Sequence, residues 1–143
     1  MSNLQWDGDA VRAAILAETR RRLETCGLIG EQHAKALVST DGTAKAPATR
    51  DSKGRFVAGK LRYNANPSKP GDPWNTQTGQ GRSSIAHEVS GLTVRIGSNL
   101  KKILWLELGT SRMAARPVLR RMLMEKMNAF RSILAAPIKG PHR

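Results

Sequence analysis

A single cysteine, Cys26, stands in 143 residues, so no disulfide framework can hold this chain and assembly in a reducing cytoplasm is expected. No apolar run approaches the roughly 20 residues a membrane span requires, and the N-terminus has no signal-peptide pattern; a soluble protein with no membrane partner is expected. The three histidines, His33, His87 and His142, are far apart, and no HExxH or CxxC spacing joins them, so no metal site is expected. Phe56 and Tyr63, the two aromatics of the basic stretch 43–82, are too few for a module that reads nucleic-acid sequence, and no zinc-finger or RNA-recognition signature accompanies them. Acidic residues are also scarce, 11 against 24 lysines and arginines, which leaves a formal charge of +13. A field of that size predicts an anionic partner, either nucleic acid or an acidic protein surface.

Catalytic chemistry is equally sparse. The run Gly79-Gln80-Gly81-Arg82-Ser83-Ser84 offers backbone N–H groups to a phosphate, but it lacks the Gly-Lys-Ser/Thr of a P-loop and a strong preceding strand. Ser83 and His87 are four residues apart, yet the strand expected at His87 breaks a nucleophile–base geometry and no third carboxylate orients them. No catalytic residue, cofactor or enzymatic activity is therefore expected.

At this length one domain is expected. Residues 9–26 read as an amphipathic helix with Asp7 or Asp9 near its N-cap, and Val11, Ala14, Ile15, Leu23 and Cys26 approximate one face. Gly27 and Gly30 interrupt that pattern, and residues 31–38 continue as a second helical piece, completing an N-terminal helical region over 1–42. Residues 43–82 are rich in Gly, Pro, Ser, Thr and basic side chains, and read as an extended basic arm. Within it Arg55-Phe56-Val57 and Lys60-Leu61-Arg62-Tyr63 form a candidate hairpin around Ala58-Gly59. Next, Ile85, His87 and Val89 alternate with polar neighbours, Ser90-Gly91 supplies a turn, and Leu92, Val94 and Ile96 alternate again, predicting a hairpin with one apolar face. Residues 101–108 are strand or helix by periodicity alone. Residues 117–136 read as a helix with Leu119, Met122, Leu123, Met127, Phe130, Ile133 and Leu134 in one stripe, Arg120, Arg121 and Arg131 facing away, and a short tail over 137–143. The methionines at 113, 122, 124 and 127 suit helix packing more than an adaptable protein contact. The expected fold is α+β: N- and C-terminal helices on a small antiparallel sheet, with a long basic arm between the first helix and the hairpin.

The densest signal is the run from Leu106 to Arg120. Gly109 follows an apolar segment where a left-handed C-cap residue is wanted, and Pro117 stands where a first-turn residue opens a helix. Glu107 and Arg116 bracket the basic loop between them. A paired carboxylate and guanidinium would lock this joint; two solvated charges are the other reading.

This run, with Trp105, Glu107, Gly109, Thr110, Ala115, Arg116, Pro117 and Leu119, resembles the neck or tail-completion proteins of long-tailed double-stranded DNA phages, which carry an aromatic-rich segment, Glu-x-Gly-Thr, then Ala-Arg-Pro-x-Leu before a C-terminal helix. Upstream, Ser68-Lys69-Pro70-Gly71-Asp72-Pro73 and Thr78-Gly79 with Arg82-Ser83-Ser84-Ile85 resemble the family's Pro-Gly-acidic-Pro segment and its Thr-Gly-x-Leu-Arg-x-Ser-Ile motif. Gly81 stands where the family usually has Leu, and Trp74 where a second Pro is common. The resemblance spans about residues 66–124 and favours a helix at 101–108. It implies a virion protein of the head-to-tail interface, assembled in the host cytoplasm: a homo-oligomeric ring, hexamer favoured over dodecamer, contacting head-connector and tail proteins.

Two basic clusters complete the picture. Lys45, Arg50, Lys53, Arg55, Lys60, Arg62 and Lys69 lie in the arm, with Phe56 and Tyr63 able to stack on single-stranded bases; Arg112, Arg116, Arg120, Arg121, Lys126, Arg131, Lys139 and Arg143 follow in the C-terminal region. Contacts to passing double-stranded DNA are expected to be to its backbone, without sequence specificity. A stand-alone, sequence-independent nucleic-acid-binding protein is the alternative function, and a small enzyme using the glycine-rich segment the third.

Overall fold

In the computed structural model the described residues are 7–38, 49–57, 68–75 and 79–138. A 30-residue helix, α1 (Gly8–Leu37), begins at Asp7, whose Oδ1 accepts the Ala10 N–H at 3.0 Å. The helix does not stop at Gly27 or Gly30, and the expected break there is corrected. A Cβ on Gly27 would lie 2.4 Å from His87 Cδ2, and one on Gly30 2.4 Å from Ile96 Cδ1. Each glycine lowers helix stability by about 1 kcal/mol relative to alanine, and here each lets the sheet approach the helix backbone.

That sheet is an antiparallel hairpin of β3 (Ile85–Ser90) and β4 (Thr93–Ser98), with His87 opposite Ile96 and Val89 opposite Val94. The turn is Gly91-Leu92, one residue later than the sequence suggested, so Leu92 is an exposed loop residue and β4 starts at Thr93. Gly91 takes φ 59°, as a tight turn requires. Against this hairpin packs α1, and antiparallel to α1 lies α4 (Leu119–Ala135): His33 meets Glu125 near one end, while Arg22 donates to the carbonyls of Leu134, Ala136 and Pro137 at the other. The helices flank a two-stranded antiparallel sheet, and the fold is α+β.

The buried cluster comprises Ala34, Val38, Trp74, Ile85, Ile103, Val118 and Met122. Trp74 belongs to the stretch read as an arm, and its burial assigns that part of the stretch to the folded body. A short helix, α2 (Gln80–Ser83), follows, and a Cβ on Gly81 would lie 2.6 Å from Trp74 Cη2. Of the expected hairpin around Ala58-Gly59, only residues 55–57 are described; its turn and second strand, residues 58–63, lie outside the described residues. β2 (Phe56–Val57) pairs backwards with β1 (Thr49–Arg50), because the Asp51 carboxylate accepts the N–H groups of Lys53 and Arg55 and turns the chain there. Lys45, Lys60, Arg62 and Tyr63 lie outside the described residues.

Candidate functional site

The segment 101–108 is a helix, α3 (Lys101–Leu108). Its spacing points Ile103 into the core and leaves Leu104, Trp105 and Leu108 exposed. Gly109 closes it, donating its N–H to the Trp105 carbonyl at 2.8 Å with φ 78° and ψ 177°. This is the extended, positive-φ region open almost solely to glycine rather than the left-handed helical conformation anticipated. A side chain would also collide there, since a Cβ would stand 2.9 Å from Ala115 N and Met113 O. Thr110 and Met113 exchange backbone hydrogen bonds and fold the intervening loop into a tight turn.

Glu107 projects from α3 to the start of α4. One carboxylate oxygen, Oε2, accepts the N–H groups of Val118 and Leu119 at 2.8 and 3.1 Å, and the other, Oε1, accepts that of Arg120 at 2.7 Å. A negative group is thereby set on the positive end of the α4 dipole, and three amides that lack partners within the helix are satisfied. This replaces the expected Glu107–Arg116 pair. The Arg116 guanidinium instead donates through Nε to the Ser68 carbonyl at 3.0 Å, and its backbone N–H donates to Leu106 at 2.7 Å. Pro117 lies just before the Val118 N-cap, outside the first turn, because the carboxylate of Glu107 defines where α4 begins.

The joint thus gathers Glu107, Gly109, Thr110, Arg116 and Pro117 in one place and adds Ser68 and Gly71, whose N–H donates to the Ala115 carbonyl at 3.0 Å. Lys69 is exposed on that docked segment, and Arg121 is occupied by Glu125 at 2.9 Å and Asp72 at 3.7 Å. Arg120 and Arg131 are exposed on α4, while Arg50, Lys53, Arg55 and Phe56 belong to the small β1–β2 hairpin.

A second polar cluster was missed. His87 Nδ1 lies 2.5 Å from Glu31 Oε2, and its Nε2 lies 3.1 Å from Glu24 Oε1, so two carboxylates of α1 hold the ring of β3. The hydrogen bond to Glu31 outweighs partial burial and raises the His87 pKa above its ordinary value; Glu31 is lowered, first by Lys35 and then by His87. Both ring nitrogens are engaged, and the Ser83 hydroxyl donates to the Gln80 carbonyl, so these two residues form no nucleophile–base pair. The seven-residue spacing of Glu24 and Glu31 was a usable signal, but only on a helix continuous through Gly27 and Gly30. Cys26 is buried, and that burial raises its thiol pKa. Among the described residues no three His, Cys, Asp or Glu side chains converge as metal ligands. No protein-family model, curated protein or solved structure is significantly similar to this chain.

Proposed function

We propose that this chain is a structural protein of the phage head-to-tail interface, with a neck, tail-completion or tail-terminator role, whose copies form a ring that joins head connector to tail and lets DNA pass. The observation that carries this reading is the convergence of the two separate sequence blocks on which the resemblance rests. The Ser68–Asp72 block is stitched to the Ala115–Arg121 block by Gly71 to Ala115, Arg116 to Ser68 and Arg121 to Asp72. The same motif presents Leu104, Trp105 and Leu108 outward, 56, 54 and 72 % exposed, where an assembling subunit needs apolar contact area. The net charge of +13 suits a channel for duplex DNA or the acidic face of a neighbouring ring. No catalytic step is assigned.

Electron microscopy and native mass spectrometry of the purified full chain test the proposal. Closed rings, six copies favoured over twelve, are the expected result. A chain that stays monomeric across the whole accessible concentration range overturns the ring.

A further inference from the structure

We propose that the outer edge of β4 takes up an extended strand of another protein, apolar on the side that turns under α4 and acidic on the side that turns to Arg95. The hairpin has only two strands, and among the described residues no main chain pairs with its outer edges. Ser90 and Thr93 close a two-residue turn and so form a hydrogen-bonded pair; by alternation Glu88 with Arg95 and Ala86 with Gly97 do as well, and Val94 and Ile96 turn their N–H and C=O groups away from β3. Such an edge is a template for one more strand.

The surroundings of that edge set the pattern of the strand. The side chains of Val94 and Ile96 point towards Gly27 and Gly30 of α1, and with Cys26, Leu123, Phe130 and Leu134 among others they line a hollow of about 440 Å³ in which Arg120 is the one charged residue. Two packed helices span about 20 Å and two strands about 10 Å. The sheet is therefore narrower than the helix pair above it, and Leu123 and Leu134 of α4 are each 46 % exposed. A strand added to β4 extends the sheet under α4: alternate side chains enter the apolar hollow, and those between stand on the open face beside Thr93, Arg95 and Gly97. Arg95 is exposed and, although opposite Glu88, makes no ion pair among the described residues. Glu88 itself lies two strand spacings, about 10 Å, from the added strand. Acidic residues therefore suit the open face of a partner that meets a chain of net charge +13. The alternating segments of this chain do not supply them: Arg55, Lys60 and Arg62 stand between the apolar residues of 55–57 and 60–63, and β3, which carries Glu88, already has α1 on its apolar face. The contact holds for a single subunit as for a ring.

The probe is a capped, labelled heptapeptide that alternates glutamate with valine and isoleucine, added to the full chain and read by fluorescence anisotropy and by amide hydrogen exchange in NMR spectra. Binding should slow exchange at Val94 and Ile96 and leave His87 and Val89, on the other edge, unchanged. N-methylation of the peptide at the residues that face β4 keeps every side chain and charge but removes the donors, and should weaken binding by about tenfold or more. Arg95→Glu should weaken it by about fivefold more than Arg112→Glu, an equal change of net charge at an exposed site away from the edge. Equal binding of the N-methylated peptide, protection confined to other amides, or no binding at about 1 mM peptide overturns strand addition. Protection of Val94 and Ile96 that grows with the concentration of the free chain would assign the edge to a second copy and overturn the acidic partner.

Discussion

Trp74 and Gly81 are fitted to each other: a Cβ on Gly81 would stand 2.6 Å from Cη2 and 3.0 Å from Cζ3 of the indole. The indole fills the space that a side chain at 81 would occupy. Gly81→Ala should therefore destabilise the fold by about 1–3 kcal/mol through overpacking. In a Trp74→Phe background, where the far edge of the indole is gone, the same substitution should cost less. Urea denaturation of the four proteins checks this; an equal cost in both backgrounds would refute the fit.

Gly27→Ala tests whether the helix glycine exists for close approach. By intrinsic propensity alone alanine would add about 1 kcal/mol of stability. His87 Cδ2, 2.4 Å from the new Cβ, must move and strain its bonds to Glu31 and Glu24, so the melting temperature should fall. A rise would mean that the hairpin is not seated against α1 at that point.

These two glycine sites also mark how far the sequence was readable. Alternation exposed the β3–β4 hairpin, and the apolar stripe exposed α4, because both are local periodicities. Gly27 and Gly30 read as breaks because their role depends on His87 and Ile96, some sixty residues away. Trp74 reads as part of an arm for the same reason: no large apolar residue adjoins it, and its core partners Ile85 and Ile103 lie further along the chain. At the joint, sequence identified Glu107 and Arg116 but not their partners. Backbone amides and carbonyls compete for such side chains at every position and leave no mark in residue identity.

Because Glu107 caps α4, Glu107→Ala should cost about 0.5–2 kcal/mol, the range for loss of a helix N-cap. Arg116→Ala, which removes a hydrogen bond to Ser68, should cost about 0.5–1.5 kcal/mol. The double variant should equal the sum within about 0.5 kcal/mol, as for residues without a shared partner. A larger coupling in a thermal or urea cycle would restore the direct ion pair.

The His87 clamp predicts a bounded pH range of greatest stability. His87 has a raised pKa, so its contribution is complete below the ordinary histidine value, about 6.5, and is lost as pH rises through the folded value. Glu31 has a lowered pKa, so its contribution is complete above the ordinary glutamate value, about 4.3, and is lost as pH falls through the folded value. Melting temperature should thus be highest between about pH 4.3 and 6.5. Glu31→Gln should flatten the decline on both sides. Glu18, half-buried and held at about 2 by Arg21 and Arg22 on the same helix, acts only on the acid side of this profile, its contribution being lost as pH falls through its folded value. An unchanged profile in the Glu31 variant would exclude the clamp as its source.

The charge makes the last prediction, because it separates a ring subunit from a dedicated DNA reader. Arg120 and Arg131 are exposed on α4, and no base-reading motif accompanies them. Binding to free duplex DNA should therefore be weak, indifferent to sequence and steeply salt-dependent, with log affinity falling by about 0.9 per phosphate contact for each log unit of salt. Arg120→Ala and Arg131→Ala should each lower that slope by about one contact if these side chains meet phosphate. A reader would keep a preference of roughly a thousandfold or more for some site at physiological salt. Competition of a labelled random duplex by a diverse oligonucleotide pool decides between them. Uniform competition that disappears at moderate salt fits a passive basic surface, whereas recovery of a strong consensus would remove charge from the support for a head-to-tail role and favour the nucleic-acid-binding alternative.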